Sequence, residues 1–323
     1  MIRRRALLAA PALLAAPAWA QGFPERSLRL IVPYAAGTSS DIQGRLIAAR
    51  MTDALIQPFV VENRAGGGGT LGAELVAKAK PDGHTLLLGS NGPLTVNPVL
   101  QAKLPYDVET ELAPIALLSR SPLTLVVRAD APWADVAALV AAAKAAPGTL
   151  TIGSSGQGSA THFLIEQFQS AAGIRFTHVP YRGSSQSVPD LIAGNVQVVM
   201  GEVSTTTPSA RGGLVRVLAT TGPARSALLP DRPTLEEAGY PGLIGGSFAA
   251  LMTTGGTPAP VIATLLRAVR TALEDPTYRT RQTEVGAEIA EPALRAPDTL
   301  AAWLRSERAR TKMTADAAGI RAE

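Results

Sequence analysis

The chain has no cysteine. That removes disulfides, thiol nucleophiles and thiolate metal sites together, so stability must come from packing. Histidine is nearly absent too, with only His84, His162 and His178. No two of them have the i, i+4 helical spacing of a zinc site. Aromatic residues make up 4% of the chain. Beyond the N-terminus no apolar run reaches the roughly 20 residues that a membrane span needs. No block of like charge suggests nucleic acid or an anionic membrane surface as a partner, so any preference for anions must be local.

The N-terminus departs from the rest. Arg3, Arg4 and Arg5 precede an apolar stretch over residues 6–18, and Ala18-Trp19-Ala20 precedes Gln21. Basic, apolar and A-x-A parts in that order describe a secretory signal peptide over residues 1–20, cleaved after Ala20. The stretch is short and interrupted by Pro11 and Pro17, which argues against a membrane anchor. The consecutive arginines also loosely resemble a twin-arginine signal, so Sec and Tat export both stay open. These arginines are three of the 30 Lys and Arg that face 26 Asp and Glu. The remainder is therefore close to charge balance.

About 300 residues exceed what one hydrophobic core usually supports, and two domains are expected. Short β-rich runs at 28–32, 59–62, 85–88, 123–127, 150–153, 176–179, 196–200 and 215–219 alternate with stretches at helical spacing. Those helices are expected at 41–55, 71–79, 133–145, 160–171, 188–193, 260–273 and 299–317, an α/β pattern. Ser40 or Asp41 is expected to cap the first. The runs at 123–127 and 215–219 bracket a self-contained central segment. This predicts a discontinuous domain, 21–120 plus 222–323, and a second domain, 121–221, joined by two crossing strands that act as a hinge.

Three polar loops each follow an expected strand. The first runs Pro33-Tyr34-Ala35-Ala36-Gly37-Thr38-Ser39-Ser40-Asp41, the second Gly89-Ser90-Asn91-Gly92. The third is Gly153-Ser154-Ser155-Gly156-Gln157-Gly158-Ser159-Ala160-Thr161. Ligands of open α/β sheets collect at the carboxyl ends of strands, and free N–H groups at a helix N-terminus suit a carboxylate or phosphate. Small residues let an anion approach the main chain, and hydroxyls add donors. The same residues also make ordinary turns and caps. The candidate binding residues are Tyr34, Ala36, Gly37, Thr38, Ser39, Ser40 and Asp41 in the first loop and Ser90 and Asn91 in the second. The third contributes Ser154, Ser155, Gly158, Ser159, Ala160 and Thr161.

Enzyme motifs fail at these positions. Gly153 and Gly158 have P-loop spacing, but Ser159-Ala160 stands where Lys-Ser/Thr is required. The run from Gly156 lacks the third glycine of a dinucleotide fingerprint, and Gln157 stands where a nucleophile elbow needs glycine. A hydrolase would have to pair His162 with Ser154, Ser155 or Ser159, yet nothing near His162 in sequence orients it as a base. Asp41 could cap the helix, order the loop or hold an amino group. Glu202, just past the strand at 196–200, could select an amino-bearing ligand or be a solvated charge.

Further motifs run through most of the chain: Arg29-Leu30-Ile31-Val32-Pro33; Val61-Glu62-Asn63-Arg64 before the glycine run; Lys80-Pro81-Asp82-Gly83-His84-Thr85; Leu104-Pro105-Tyr106-Asp107; His178-Val179-Pro180-Tyr181-Arg182-Gly183; and Leu229-Pro230-Asp231-Arg232-Pro233-Thr234. In number, order and spacing these resemble the substrate-binding receptors of tripartite tricarboxylate transporters, the Bug family. The resemblance implies a two-domain periplasmic-binding-protein fold, type II-like, that captures a small organic acid or amino acid in the interdomain cleft. Backbone amides, hydroxyls and ordered water at the loop ending in Asp41 and at the loop 154–161 would hold the carboxylate. It also implies a periplasmic monomer with no cofactor and no catalysis, working with membrane transporter subunits; a receptor feeding a membrane sensor would look the same in sequence. Two departures touch the pocket. Ala36-Gly37-Thr38 stands where Pro-Gly-Gly is usual, and Ser247-Phe248-Ala249-Ala250 where the family tends to carry a Trp. If the signal reading holds, the exported chain begins at Gln21, and intact-mass measurement of the secreted protein checks it.

Overall fold

The computed structural model describes residues 22–181 and 184–320. The expected export signal and the motif residues Arg182 and Gly183 lie outside them. The sheet follows directly from the apolar runs. Strand β1 (Leu28–Val32) pairs in parallel with β2 (Phe59–Asn63) and β3 (Thr85–Gly89). Strand β4 (Leu112–Arg128) is 17 residues long and spans the molecule. Strands β5 (Thr151–Ser154), β6 (Thr177–Pro180) and β7 (Val198–Glu202) form a second parallel group, with β5 between the other two. Strands β8 (Val215–Thr220) and β9 (Gly246–Thr254) complete the frame, and β10 (Glu288–Ile289) is a short addition. The order is β2-β1-β3-β9-β4-β7-β5-β6, with β8 and β10 also paired to β4.

Helices cover both faces. They are α1 (Ser39–Leu55), α2 (Thr70–Ala77), α3 (Asn97–Leu100, entered through a π-helical turn at Gly92–Val96), α4 (Val136–Ala145), α5 (Ala160–Ala172), α6 (Ser184–Ala193), α7 (Val203–Arg211), α8 (Ala259–Glu274), α9 (Pro276–Glu284) and α10 (Pro297–Ala318). Successive residues of a strand point to opposite faces, and both faces are covered, so the apolar residues of one run enter two cores. Leu28, Leu30 and Val32 of β1 and Leu86 and Leu88 of β3 join one core with Ile47 and Leu265. Ile31 and Leu87, on the opposite face, join another with Val76, Met252 and Leu300. The central strands repeat this division. Leu125, Ile152 and Met200 pack with α4 and α5 on one side, and Val126, Val199 and Val217 with Leu191 on the other.

Strand β4 ties these cores together. Its first part pairs with β9 and β10, and its second with β7 and β8. Beyond residue 222 the chain keeps packing against the central strands. Leu229, Leu235 and Leu243 pack into the cores of the central strands, so the chain stays with that half until Gly245 and returns through β9. No strand period marks this stretch, so sequence pattern stops at 219. Strand β9, helix α7 and helix α9 were likewise not expected. Val203-Ser204-Thr205-Thr206-Thr207-Pro208 has low helix propensity, but Thr206 and Thr207 are buried and return their hydroxyls to the Glu202 and Val203 carbonyls.

Helix α10 crosses behind both halves. Leu300 and Leu304 pack under the first group of strands. Further along, Arg310 donates to the Ile244 carbonyl at 2.8 Å, and Gln167 of α5 donates to Thr314 at 3.1 Å. Where β9 begins, Gly246 sits at φ +152°, and a Cβ there would lie 2.3 Å from the Ser121 carbonyl oxygen of β4. Gly246→Ala is therefore expected to cost at least about 1–3 kcal/mol in backbone strain. A lowered urea midpoint with unchanged slope would register it.

Candidate functional site

Each of the four strands β1, β3, β5 and β7 delivers its carboxyl end to the same place. After β1, Thr38 caps α1: its hydroxyl accepts the Asp41 N–H at 3.4 Å and donates to the Ala35 carbonyl at 2.8 Å. The expected caps Ser40 and Asp41 thus lie inside the helix. Asp41 is buried and orders the loop. It accepts the Gly37 N–H at 2.9 Å, the Asn63 amide at 3.0 Å and the Arg45 guanidinium at 3.1 Å. The Gly37 N–H, helped by Arg45 and Asn63, holds this carboxyl below its ordinary range.

After β3 the loop is locked to its neighbours. Tyr34 and Ser90 share a hydroxyl hydrogen bond of 2.8 Å, and burial pushes the Tyr34 phenol up. Asn91 donates to the Gly246 carbonyl at 3.1 Å and accepts the Phe248 N–H at 3.2 Å, fastening the loop to the start of β9. Gly92 is required by close approach: a Cβ there would lie 2.2 Å from the Gly68 carbonyl oxygen.

After β5, Ser159 caps α5, accepting the His162 N–H at 3.2 Å and donating to the Gly156 carbonyl at 2.6 Å. Thr161 accepts the Ser155 N–H at 2.8 Å. His162 supports the loop from behind, its Nδ1 accepting the Gly158 N–H at 3.1 Å. Its ring stacks on His178 with centroids 4.1 Å apart and planes 4° apart. Burial, and then the neighbouring His178, lower the His162 pKa to about 4. The serine–imidazole contact in this region is between Ser154 and His178, at 2.7 Å, and Ser154 is fully buried. His162 is therefore a packing and loop-bracing residue.

The four strand ends surround a cavity of about 690 Å³. Of the expected binding residues, Tyr34, Thr38, Ser39, Ser40, Ser90, Asn91, Gly158, Ser159, Ala160 and Glu202 line it. Asp41, Ser154, Ser155 and Thr161 do not line it, and their hydrogen bonds hold the loops in shape. Gly37 gives its N–H to Asp41 and also stays outside, as does Ala36. The wall further includes Gln43, Ser121, Ser204 and Thr205, which sequence pattern does not mark, and Ser247 and Phe248 from the stretch where the sequence departs from its family. Ser204 and Thr205 belong to the unexpected α7. Ser121 comes from β4 and Ser247 and Phe248 from the unexpected β9.

First-turn residues of α1, α5 and α7 all line this cavity, so the unpaired N–H groups and positive dipole ends of three helices meet there. Among the described residues no Lys, Arg or His lines it. Nor does any group of three or more His, Cys, Asp or Glu among them suit a metal ion. The arrangement can hold an anion with neutral donors.

Comparison with known proteins agrees with this geometry. The sequence pattern of the Tripartite tricarboxylate transporter family receptor matches residues 44–314. Protein BugT of Bordetella pertussis is 35% identical over 299 residues, 92% of this chain and 91% of that protein. A solved Rhodopseudomonas palustris protein, MatC with bound malate, is 34% identical with a TM-score of 0.75, covering 90% of this chain and 99% of that one. An R. palustris protein with adipate is 32% identical with a TM-score of 0.79, covering 93% and 99%. With its mixed α/β frame and its strand-end cavity, the chain belongs to the receptor family of the tripartite tricarboxylate transporters.

Proposed function

We propose that the protein captures a small organic carboxylate in this cavity, outside the cytoplasm, and presents it to the membrane subunits of a tripartite transporter. The observation that carries the reading is the convergence of the α1 and α5 N-termini and of serine and threonine hydroxyls on a cavity without a basic side chain among the described residues. Hydrogen bonds to a charged group contribute roughly 1.5–3 kcal/mol each, so a few preorganised donors give useful affinity without an ion pair. The malate and adipate held by the two R. palustris relatives support the same class of ligand.

Capture needs two units that close on each other. In this reading residues 22–120 and 246–320 form one and 121–245 the other, with β4 and the Gly245-Gly246 step as the hinge. The boundary at 245 replaces the expected one at 222 because the intervening leucines pack with the central strands. Residues from both units line the cavity, so a bound ligand contacts both and favours the closed state. The transporter would then read that state, with the receptor acting as a monomer and without catalysis or cofactor.

Ala160 lies at the first position of α5, on the cavity wall. Ala160→Phe should fill the carboxylate end and weaken binding at least tenfold in calorimetry against a panel of small organic acids, while leaving the urea midpoint nearly unchanged. Unchanged affinity for an acid that the parent binds would sink the assignment.

Burial of the two stacked imidazoles makes the loop that His162 braces acid-sensitive. His162 is held at about 4 against an ordinary 6.5, so between those values the unfolded chain binds a proton that the folded chain does not. Stability linked to His162 is complete above pH 6.5 and is lost as pH falls towards 4. His178 shifts in the same direction. Glu288, pushed up by burial to about 7 from 4.5, acts in the opposite sense, so the test is a difference. His162→Asn, which keeps an acceptor for the Gly158 N–H, should reduce the slope of stability against pH between 4 and 6.5 by about one proton.

A further inference from the structure

The cavity read above as a carboxylate site contains a carboxylate of its own. Glu202 ends β7 and stands at the N-cap position of α7, yet its side chain makes no capping bond. It accepts one hydrogen bond, from the Ser155 hydroxyl at 3.0 Å, and enters no ion pair among the described residues. It lines the cavity, where no described residue supplies a compensating cation. The other acidic residue near the strand ends has a different fate. Asp41 is only 4% exposed, is committed to Gly37, Asn63 and Arg45, and stays off the cavity wall.

This asymmetry restricts the ligand. The negative charge of Glu202 sits at the positive end of α7, which makes that helix a poor third seat for an anion. The N-termini of α1 and α5, with Ser39, Ser40 and Ser159, carry no such acid on the wall. A ligand with two carboxylates would bring its second charge into the same enclosure as Glu202, and partial exclusion of water strengthens that repulsion. A ligand with one carboxylate and one ammonium meets both ends with opposite sign, and its ammonium, a donor only, finds the acceptor that Glu202 offers.

Resting on the receptor reading, we propose that the ligand is an amino carboxylic acid whose carboxylate sits at the N-termini of α1 and α5 and whose ammonium is held by Glu202. Glu202 then sets specificity, selecting the amino acid over the acid with the same carbon skeleton and no amino group.

The test uses the mature chain and matched probe pairs in calorimetry: L-glutamine with glutaramate, L-glutamate with glutarate, and L-valine with isovalerate. At least one amino acid should bind at least tenfold tighter than its partner. Glu202→Gln, which can still accept from Ser155, should lose that preference without a change in unfolding midpoint, and Glu202→Asp should keep part of it. Tighter or equal binding of the amino-free acids, or a preference that survives in Glu202→Gln, overturns this inference and leaves the receptor reading standing. Absence of binding to every probe of both series overturns the receptor reading and this inference with it.

Discussion

The antiparallel pairing of β4 with β9 is the constraint on which the molecule depends. The 17-residue strand β4 pairs with β7 of one parallel group and reaches β3 of the other through β9, which returns alongside it from Pro122 opposite Gly246 to Leu112 opposite Thr254. Because β4 also pairs with β7 and β8, the carboxyl ends of β1 and β3 face those of β5 and β7 across one cleft. Irregular register at Pro114/Ala116 and Leu117/Ser119 bends the ribbon without breaking it, as bulges do. A proline within this strand is tolerated for the same reason.

The cleft is lined by neutral donors with no basic side chain among the described residues. Main-chain N–H groups and hydroxyls on its wall are held in place by a network: Asp41 behind the first loop, Asn91 within the second, His162 and Thr161 behind the third. A donor already held in place loses little freedom when a ligand arrives. The buried polar residues therefore serve the site by satisfying the loops. Phe248, 6% exposed and in edge-to-face contact with Trp303 at 4.9 Å, joins this wall to α10. Any movement of the halves must be accommodated along that helix.

Much of this was legible in the residues alone. Leu28–Val32 was read to the residue, and most other strands to within one or two, because parallel strands covered on both faces are continuous apolar runs bounded by turn residues. Where pattern was weak the reading failed. Gly246–Thr254 mixes Gly, Ser, Ala and Met and reveals itself as a strand only through its partners on both sides. Helix α7 exists against the propensity of its threonines, held by burial of Thr206 and Thr207 and by their bonds back to the main chain. The three polar loops whose residues line the cavity were legible because each follows a readable strand.

By itself the sequence determined the α/β class, the strand-end loops and the chemical character of the site, since these depend on local periodicity and on the kinds of donor available. Tertiary structure alone decided which loop residues face the cleft. Asp41, Ser154 and Thr161 are as polar as Ser39, Ser159 and Glu202, yet their hydrogen-bond partners turn them into the wall. It also decided that the leucines between 228 and 243 stay with the central strands. Both outcomes rest on contacts between residues far apart in the chain, and local pattern contains no information about such contacts.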